Sequence, residues 1–320
     1  MSEHLIPPQL IPENKSEPPR RLILAMQTED PSERIANMAS VIRVIEGNSQ
    51  IHSAGGRPDD IKVAAQIARD WDTRHTLTAG ESGTGLRLFS WFDHHLVATG
   101  KQGQHHEFER SRTLATRPIT EIPEVYGLTQ RELLLEDNGT SQFASAAVLT
   151  GDMVRLNSAP FRLQQTYDMV DEWLARDRQL DWGAPLIEDA TIRKLAESFA
   201  RLMLGETFDF DVTHSEEVPT GLGFGAITPH EAQQRFSSVL GHESNRIVEM
   251  ERALWQFRYG EVITSNDHRI IQTLAMLALY KERPVNFRYP ECVTKSWPQF
   301  WDYLQHIAIE ASDGALAQTQ

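Results

Sequence analysis

HTLTAGESGTGLRLFSWF, residues 75–92, carries three local signals in one run. His75 to Thr78 reads as a strand, the glycines from Gly80 to Gly85 as a tight turn, and the residues from Leu86 onward as a helix. A strand that feeds a helix through a glycine turn is a building unit of layered α/β proteins, not of a helical bundle or a β-sandwich. The same alternation extends in both directions. Upstream, Arg21 to Ala25 reads as a strand, Ile35, Met38, Ile42 and Ile45 as a helix stopped at Gly47, and Ile51 to Ala54 as a strand. Pro58-Asp59-Asp60 then opens a helix with Ile61, Ala64, Ala65, Ala68 and Trp71 on one face. Downstream, Glu132 to Glu136, Thr207 to Val212 and Val285 to Arg288 are expected strands. Helices are expected over SQFASAAVL (141–149) and through Leu163–Leu174, Ile192–Leu202 and Ile247–Phe257, and two more start near Ile270 and Pro298.

The chain has 320 residues, enough for about two domains that each bury their own core. Residues 1–20 contain five prolines and are expected as an extended N-terminal tail, followed by domains over 21–182 and 183–320. The region from Gly183 to Gly241 is the least regular, and Glu216-Glu217 within it reads as a solvated loop. Forty-five acidic residues against 31 Lys plus Arg, a net charge of -14, argue against a nucleic-acid surface or an anionic membrane as partner. Clustered arginines can still reverse the field locally and hold a small anion. The single cysteine, Cys292, excludes an intrachain disulfide or a multi-thiolate site and favours a reducing, cytoplasmic setting. No apolar run approaches the roughly 20 residues needed to span a bilayer, and the start of the chain lacks the pattern of a secretion signal.

Six stretches concentrate reactive groups. Gly80 to Arg87 puts close-approach glycines, a helix start and a cation together, which suits a phosphate or carboxylate. It fits neither a P-loop nor a dinucleotide fingerprint. Thr116-Arg117-Pro118 sets an arginine at a turn. Asn138 to Phe143 puts Thr140, Ser141 and Gln142 at a helix start, more polar groups than capping alone uses. His242-Glu243-Ser244-Asn245-Arg246, Asn266-Asp267-His268-Arg269 and Cys292 to Trp301 add carboxylate, imidazole and three cations, the inventory of an anion-binding acid/base site. The pairs His94-His95 and His105-His106 fit a single metal ion poorly, because adjacent residues on a helix point in different directions, and they read as solvated or packed.

In this order the six stretches resemble the enolpyruvyl transferase family of the 5-enolpyruvylshikimate 3-phosphate (EPSP) synthase type. Glu81 to Arg87 is similar to NAGTxxR, Arg117-Pro118 to the RP element, Thr140-Ser141-Gln142 to SSQ and Ser158-Ala159-Pro160-Phe161 to SxPY. His242 to Arg246 resembles KE(T/S)DR, Asp267-His268-Arg269 matches DHR, and Lys295 to Trp301 matches KS(F/Y)PxFW. The resemblance runs from about residue 31 to 306. The departures are equally specific. Where the family opens with SKSxSNR, this chain has Ser32 for the lysine and Asn37 for the arginine; His242 replaces a second lysine and Phe161 a tyrosine. Most members are also longer, and the family's second-domain aspartate has no convincing match, with Asp189, Asp209 and Asp211 the nearest in order.

What the resemblance implies is a two-domain fold of repeated βαβαββ units, an inside-out α/β barrel with a shortened second domain. It also implies enolpyruvyl transfer from phosphoenolpyruvate to a hydroxyl of a shikimate-like acceptor, without cofactor or metal. Arg117, Arg246, Arg269 and Lys295 would hold phosphoenolpyruvate, with Gly83 and Gln142 beside it. Glu243 would move protons with His268 in support, and Thr140, Ser141 and Ser158 would face the acceptor. Because the phosphoenolpyruvate side is better kept than the shikimate phosphate side, the resemblance points to an altered acceptor in a specialised pathway. The reading set against it is a noncatalytic binding or regulatory protein on the same scaffold.

Overall fold

Pro18 and Pro19 start a helix. In the computed structural model, which describes residues 6–47, 57–115, 122–129, 132–133, 141–153, 161–213, 215–236 and 245–318, helix α1 spans Glu17–Met26. Proline suits its first turn because the missing N–H would have had no helical partner there. Glu17 pairs with Arg21 one turn on. Nine of the ten residues of α1 are buried, so the run expected as a strand at Arg21 to Ala25 lies inside a helix. A short continuous apolar run fits a buried strand or a buried helix equally, and here the proline start decides. Residues 6–13 are docked. Ile6 and Ile11 are buried, Pro8–Leu10 forms a 3-10 turn, and Trp297 donates its indole N–H to Leu10 O at 2.7 Å.

The chain divides into two compact units. One comprises Asn14–Gln50 and Asp59–Ile187, the other Met1–Glu13, Ile51–Pro58 and Glu188–Gln320. In the first unit α1 is followed by α2 (Pro31–Gly47), α3 (Asp59–Asp70), β1 (Thr76–Gly80), α4 (Gly83–Ala98), β2 (Glu107–Arg110), α5 (Arg112–Ala115), α6 (Ile122–Val125), α7 (Gln142–Thr150) and α8 (Phe161–Ala175). Strands β1 and β2 are parallel, Leu77 opposite Phe108, with α4 crossing between them as a βαβ unit. Leu77 and Ala79 alternate inward along β1, and Ser82 caps α4 by accepting from the Gly85 N–H at 2.9 Å. Phe89, Trp91 and Phe92 on α4 join Phe143 and Leu149 on α7 in the core.

The second unit contains α9 (Ala190–Met203), α10 (Val218–Phe224), α11 (Pro229–Phe236), α12 (Arg246–Tyr259), α13 (His268–Tyr280) and α14 (Phe300–Gln318). Asp189 is the cap of α9, accepting from the Thr191 and Ile192 N–H groups at 3.0 Å. Ile192, Phe199, Val218, Ile271, Trp297, Phe300 and Tyr303 build the core. Helix α13 is flanked by a single parallel bridge, Ile263 to Phe287, which is all that forms of the strand expected over Val285 to Arg288. Thr207 to Val212 is no strand, although Phe210 and Val212 alternate inward. Its carbonyls are taken by side chains instead: Ser198 donates to Asp209 O and Lys194 to Asp211 O, at 2.8 and 2.9 Å. An inward alternation makes a strand only where a partner strand is at hand.

Among the described residues the fold is therefore mainly helical with one small parallel sheet, compatible with the α/β class. The strands expected at Ile51–Ala54 and over most of Glu132–Glu136 lie outside the described residues. No described helix is long and apolar enough to cross a membrane.

Candidate functional site

The first cluster sits where α4 and α7 begin. Arg87 donates to Gln142 Oε1 at 2.8 Å, and Gln142 donates in turn to Thr84 Oγ1 at 3.1 Å. The guanidinium also lies over the Phe143 ring, 5.9 Å from its centroid. Gly83 lies close beneath it: a Cβ there would lie 3.2 Å from Arg87 Nη1, a tight contact that the guanidinium would have to relieve by a small shift. Ser141 is buried and left-handed, with φ 65°, just before α7. Gly83, Arg87, Ser141 and Gln142 are thus brought to two neighbouring helix starts, 58 residues apart in sequence between Thr84 and Gln142. Arg117, Thr140 and Ser158 lie outside the described residues.

The second cluster is built on the start of α13. Asp267 caps it, accepting from the Arg269 N–H at 2.8 Å, and its other oxygen accepts from Arg246 Nε at 2.9 Å. Arg246 opens α12, whose cap Asn245 accepts from the Val248 N–H at 3.3 Å. Burial by itself would raise the Asp267 carboxyl. The Arg246 guanidinium overrides it, with His268 and the helix N–H bonds, and holds the group far below the usual carboxylate range. Arg269 turns its guanidinium to Glu216 Oε2 at 3.2 Å, while its Nε is buried with no partner among the described residues. Glu249 completes the cluster through Ser265, which donates to it at 3.4 Å; burial and the Asp267 charge raise its carboxyl.

Lys295 closes a 3-10 turn, Pro290–Lys295, that packs on α13; the adjacent Ser296 accepts from Gln272 Nε2 at 3.2 Å. Buried Cys292 in the same turn has its thiol pushed up to about 12 by burial and by Asp267, with Lys295 acting in the opposite direction. Arg246, His268, Arg269 and Lys295 therefore share one region of this unit. Glu243 lies outside the described residues.

Two carboxylates expected in a solvated loop are structural and electrostatic partners. Glu216 engages Arg269, and Glu217 is buried, accepting from the Thr213 N–H at 2.6 Å and its hydroxyl at 3.0 Å. Nothing in the local pattern EEVP signals this, because the arginine that Glu216 meets is 53 positions away. Among the described residues no group of His, Cys, Asp or Glu is arranged to hold a metal ion.

A family model described as EPSP synthase (3-phosphoshikimate 1-carboxyvinyltransferase) matches residues 239–304, the stretch that carries this second cluster except Glu216. Over these residues the chain resembles the EPSP synthase family. It is similar to the 3-phosphoshikimate 1-carboxyvinyltransferases of Clostridium acetobutylicum, 36% identical over 22% of this chain and 18% of the relative, and of Aquifex aeolicus, 43% identical over 15% and 11%. That of Actinobacillus succinogenes is 36% identical over 17% of this chain and 12% of its own length. The EPSP synthase-like match thus spans less than a fifth of each curated relative. No solved structure matches the chain significantly.

Proposed function

We propose that this EPSP synthase-like chain transfers the enolpyruvyl (carboxyvinyl) group of phosphoenolpyruvate to a hydroxyl of a shikimate-like acceptor, releasing phosphate. The observation that carries the reading is Arg269. It is a buried arginine at a helix start, inside the family-matched stretch, with one N–H unsatisfied among the described residues and the other end held by a single, partly exposed carboxylate. An incoming carboxylate or phosphate can take the place of Glu216 on that guanidinium and gain the field of the α13 N-terminus. Arg246 stays on Asp267 and keeps the cap in place. In the proposed reaction the acceptor hydroxyl gives its proton to a base as its oxygen bonds to C2 of phosphoenolpyruvate and C3 takes a proton, giving a tetrahedral ketal. The ketal then loses phosphate and the C3 proton to restore the double bond.

In this assignment Arg117, Arg246, Arg269 and Lys295 are phosphoenolpyruvate-binding residues, and Gly83, Arg87 and Gln142 are further substrate-binding residues. Glu243 moves protons, His268 supports it, and Thr140, Ser141 and Ser158 face the acceptor. The same reading carries the family's repeated βαβαββ fold with domains over 21–182 and 183–320, a cytoplasmic place, and an acceptor altered from shikimate 3-phosphate. A βαβ unit around α4 and the parallel bridge around α13 support the fold part of it. One observation favours the noncatalytic alternative: Glu216 already neutralises Arg269 with an internal carboxylate.

The deciding experiment is phosphate release from phosphoenolpyruvate with shikimate 3-phosphate, shikimate and other cyclic hydroxy acids, beside calorimetric titration of phosphoenolpyruvate. Release that falls about a hundredfold or more in Arg269→Ala and Lys295→Ala is expected. Binding without release, and without exchange of solvent deuterium into the methylene, transfers the assignment to the noncatalytic protein. No binding at all overturns both.

A further inference from the structure

Beyond Arg87, helix α4 carries a second set of polar groups that the proposed reaction does not use. Asp93, whose side chain is only 4% exposed, accepts from His105 Nδ1 at 2.8 Å, His106 Nδ1 at 2.7 Å, Gln102 Nε2 at 2.7 Å and the His106 backbone N–H at 3.0 Å. A carboxylate only accepts, so both imidazoles present N–H to it. His106 is used up, because its Nε2 faces Trp71 O at 2.9 Å. His105 is not. Its ring is half exposed, its Nδ1 is tied to Asp93, and its Nε2 is left to the pocket beside it. A buried carboxylate that fixes one ring nitrogen orients the imidazole so that the other can meet a ligand.

That pocket offers about 230 Å³, part of it open to solvent, room for one compact molecule and less than drug-sized sites take up. His94, His105 and Arg110 supply its cationic side, and Phe108 and Phe143 its apolar one. His94 stacks on His105 with centroids 5.2 Å apart and planes 17° from parallel, and packs on Tyr126 at 4.5 Å. Two stacked imidazoles resist carrying two charges, and burial together with His105 holds His94 below its ordinary value. Among the described residues the charged and titratable groups around the rings include Asp93 on α4, His106 before β2, Arg110 on β2, and Asp152 with Tyr126 beyond α7 and α6. Asp152 is held down to about 2 and Tyr126 pushed up to about 12, so neither changes charge near neutrality. Asp93 lies beneath the rings and is spent on four donors.

We propose that the pocket between α4 and β2 binds a small organic anion, a carboxylate on an apolar ring, and takes up a proton on its histidines as it does so. The ring lies against Phe108 and Phe143, and the carboxylate accepts from His105 Nε2 and Arg110. The anion removes the repulsion between the stacked imidazoles, so binding and protonation favour each other. None of the residues assigned to phosphoenolpyruvate or its acceptor takes part.

Calorimetric titration with benzoate, beside neutral benzyl alcohol, tests this in two buffers of different ionisation enthalpy at pH 6 and pH 8. Benzoate is expected to bind roughly fivefold or more tightly at pH 6, with measurable proton uptake, and benzyl alcohol far more weakly. His105→Gln should abolish the pH dependence, Arg110→Gln should weaken binding at both pH values, and phosphoenolpyruvate titration should be unchanged in both. His94→Gln, at a half-buried ring, keeps the test available if either variant misfolds, and should reduce proton uptake. Absent benzoate binding at pH 6, equal affinity at the two pH values, or unaltered binding and uptake in these variants overturns the proposal.

Discussion

Arg246 and Asp267 stand 21 residues apart in the chain and meet Nε to Oδ2 at 2.9 Å, each side chain 8% exposed. The pair joins the starts of α12 and α13, because one residue opens the first helix and the other caps the second. Removing the arginine leaves a buried carboxylate short of its main partner, which costs roughly 3–5 kcal/mol in comparable pairs. Arg246→Ala is expected to lose that much in urea unfolding. A loss under about 1 kcal/mol would show that solvent already reaches the carboxylate.

Cys292 reports on the same region, and as the chain's only cysteine it gives an uncluttered signal. Burial first, then the Asp267 charge, pushes its thiol up to about 12, so little thiolate exists at pH 8. Aromatic disulfide reagents should label the native protein slowly and the urea-unfolded protein at once. Asp267→Asn should speed native labelling severalfold. Rapid labelling of the native wild type would contradict the burial.

Asp152 sets part of the acid stability of the first unit. Burial raises its carboxyl, but hydrogen bonds from His95, Thr150 and Trp91 outweigh this and hold it down to about 2. A folded-state value below the unfolded one means stability that is complete above about pH 4 and is lost as the pH falls toward about 2. Asp152→Asn is expected to flatten that limb of the stability curve and, because solvent screens this partly exposed carboxylate, to lower stability at pH 7 by about 1 kcal/mol or less. An unchanged acid limb would assign the transition to other carboxylates.

Gly223 is required by packing. A Cβ there would overlap Thr273 Cγ2 and lie 3.2 Å from Met250 Cε, and Thr273 is fully buried with its hydroxyl donating to Arg269 O at 2.8 Å. Gly223→Ala should destabilise by about 1–3 kcal/mol despite its better helix propensity, read as a lowered Tm. A rise in Tm would mean that α10 and α13 can separate without cost.

The alternation of strand and helix around residues 75–92 and most helices were legible because hydrophobic periodicity is local, whereas the capping roles of Ser82 and Asp189 emerged only in the structure. The EPSP synthase-like elements were legible for a related reason, since short motifs such as Asp267-His268-Arg269 sit at helix starts that the sequence itself marks. Arg21 to Ala25 and Thr207 to Val212 were misread because each pattern permits more than one structure. A proline start decided the first, and the lack of a strand partner the second.

The amino-acid order by itself determined which groups stand at helix N-termini, because capping and periodicity act within a few residues. Only the tertiary structure decided what those groups meet. Arg269 faces Glu216 and Arg246 faces Asp267, and Asp93 gathers two histidines, because packing brings distant segments together and burial makes each charge find a partner.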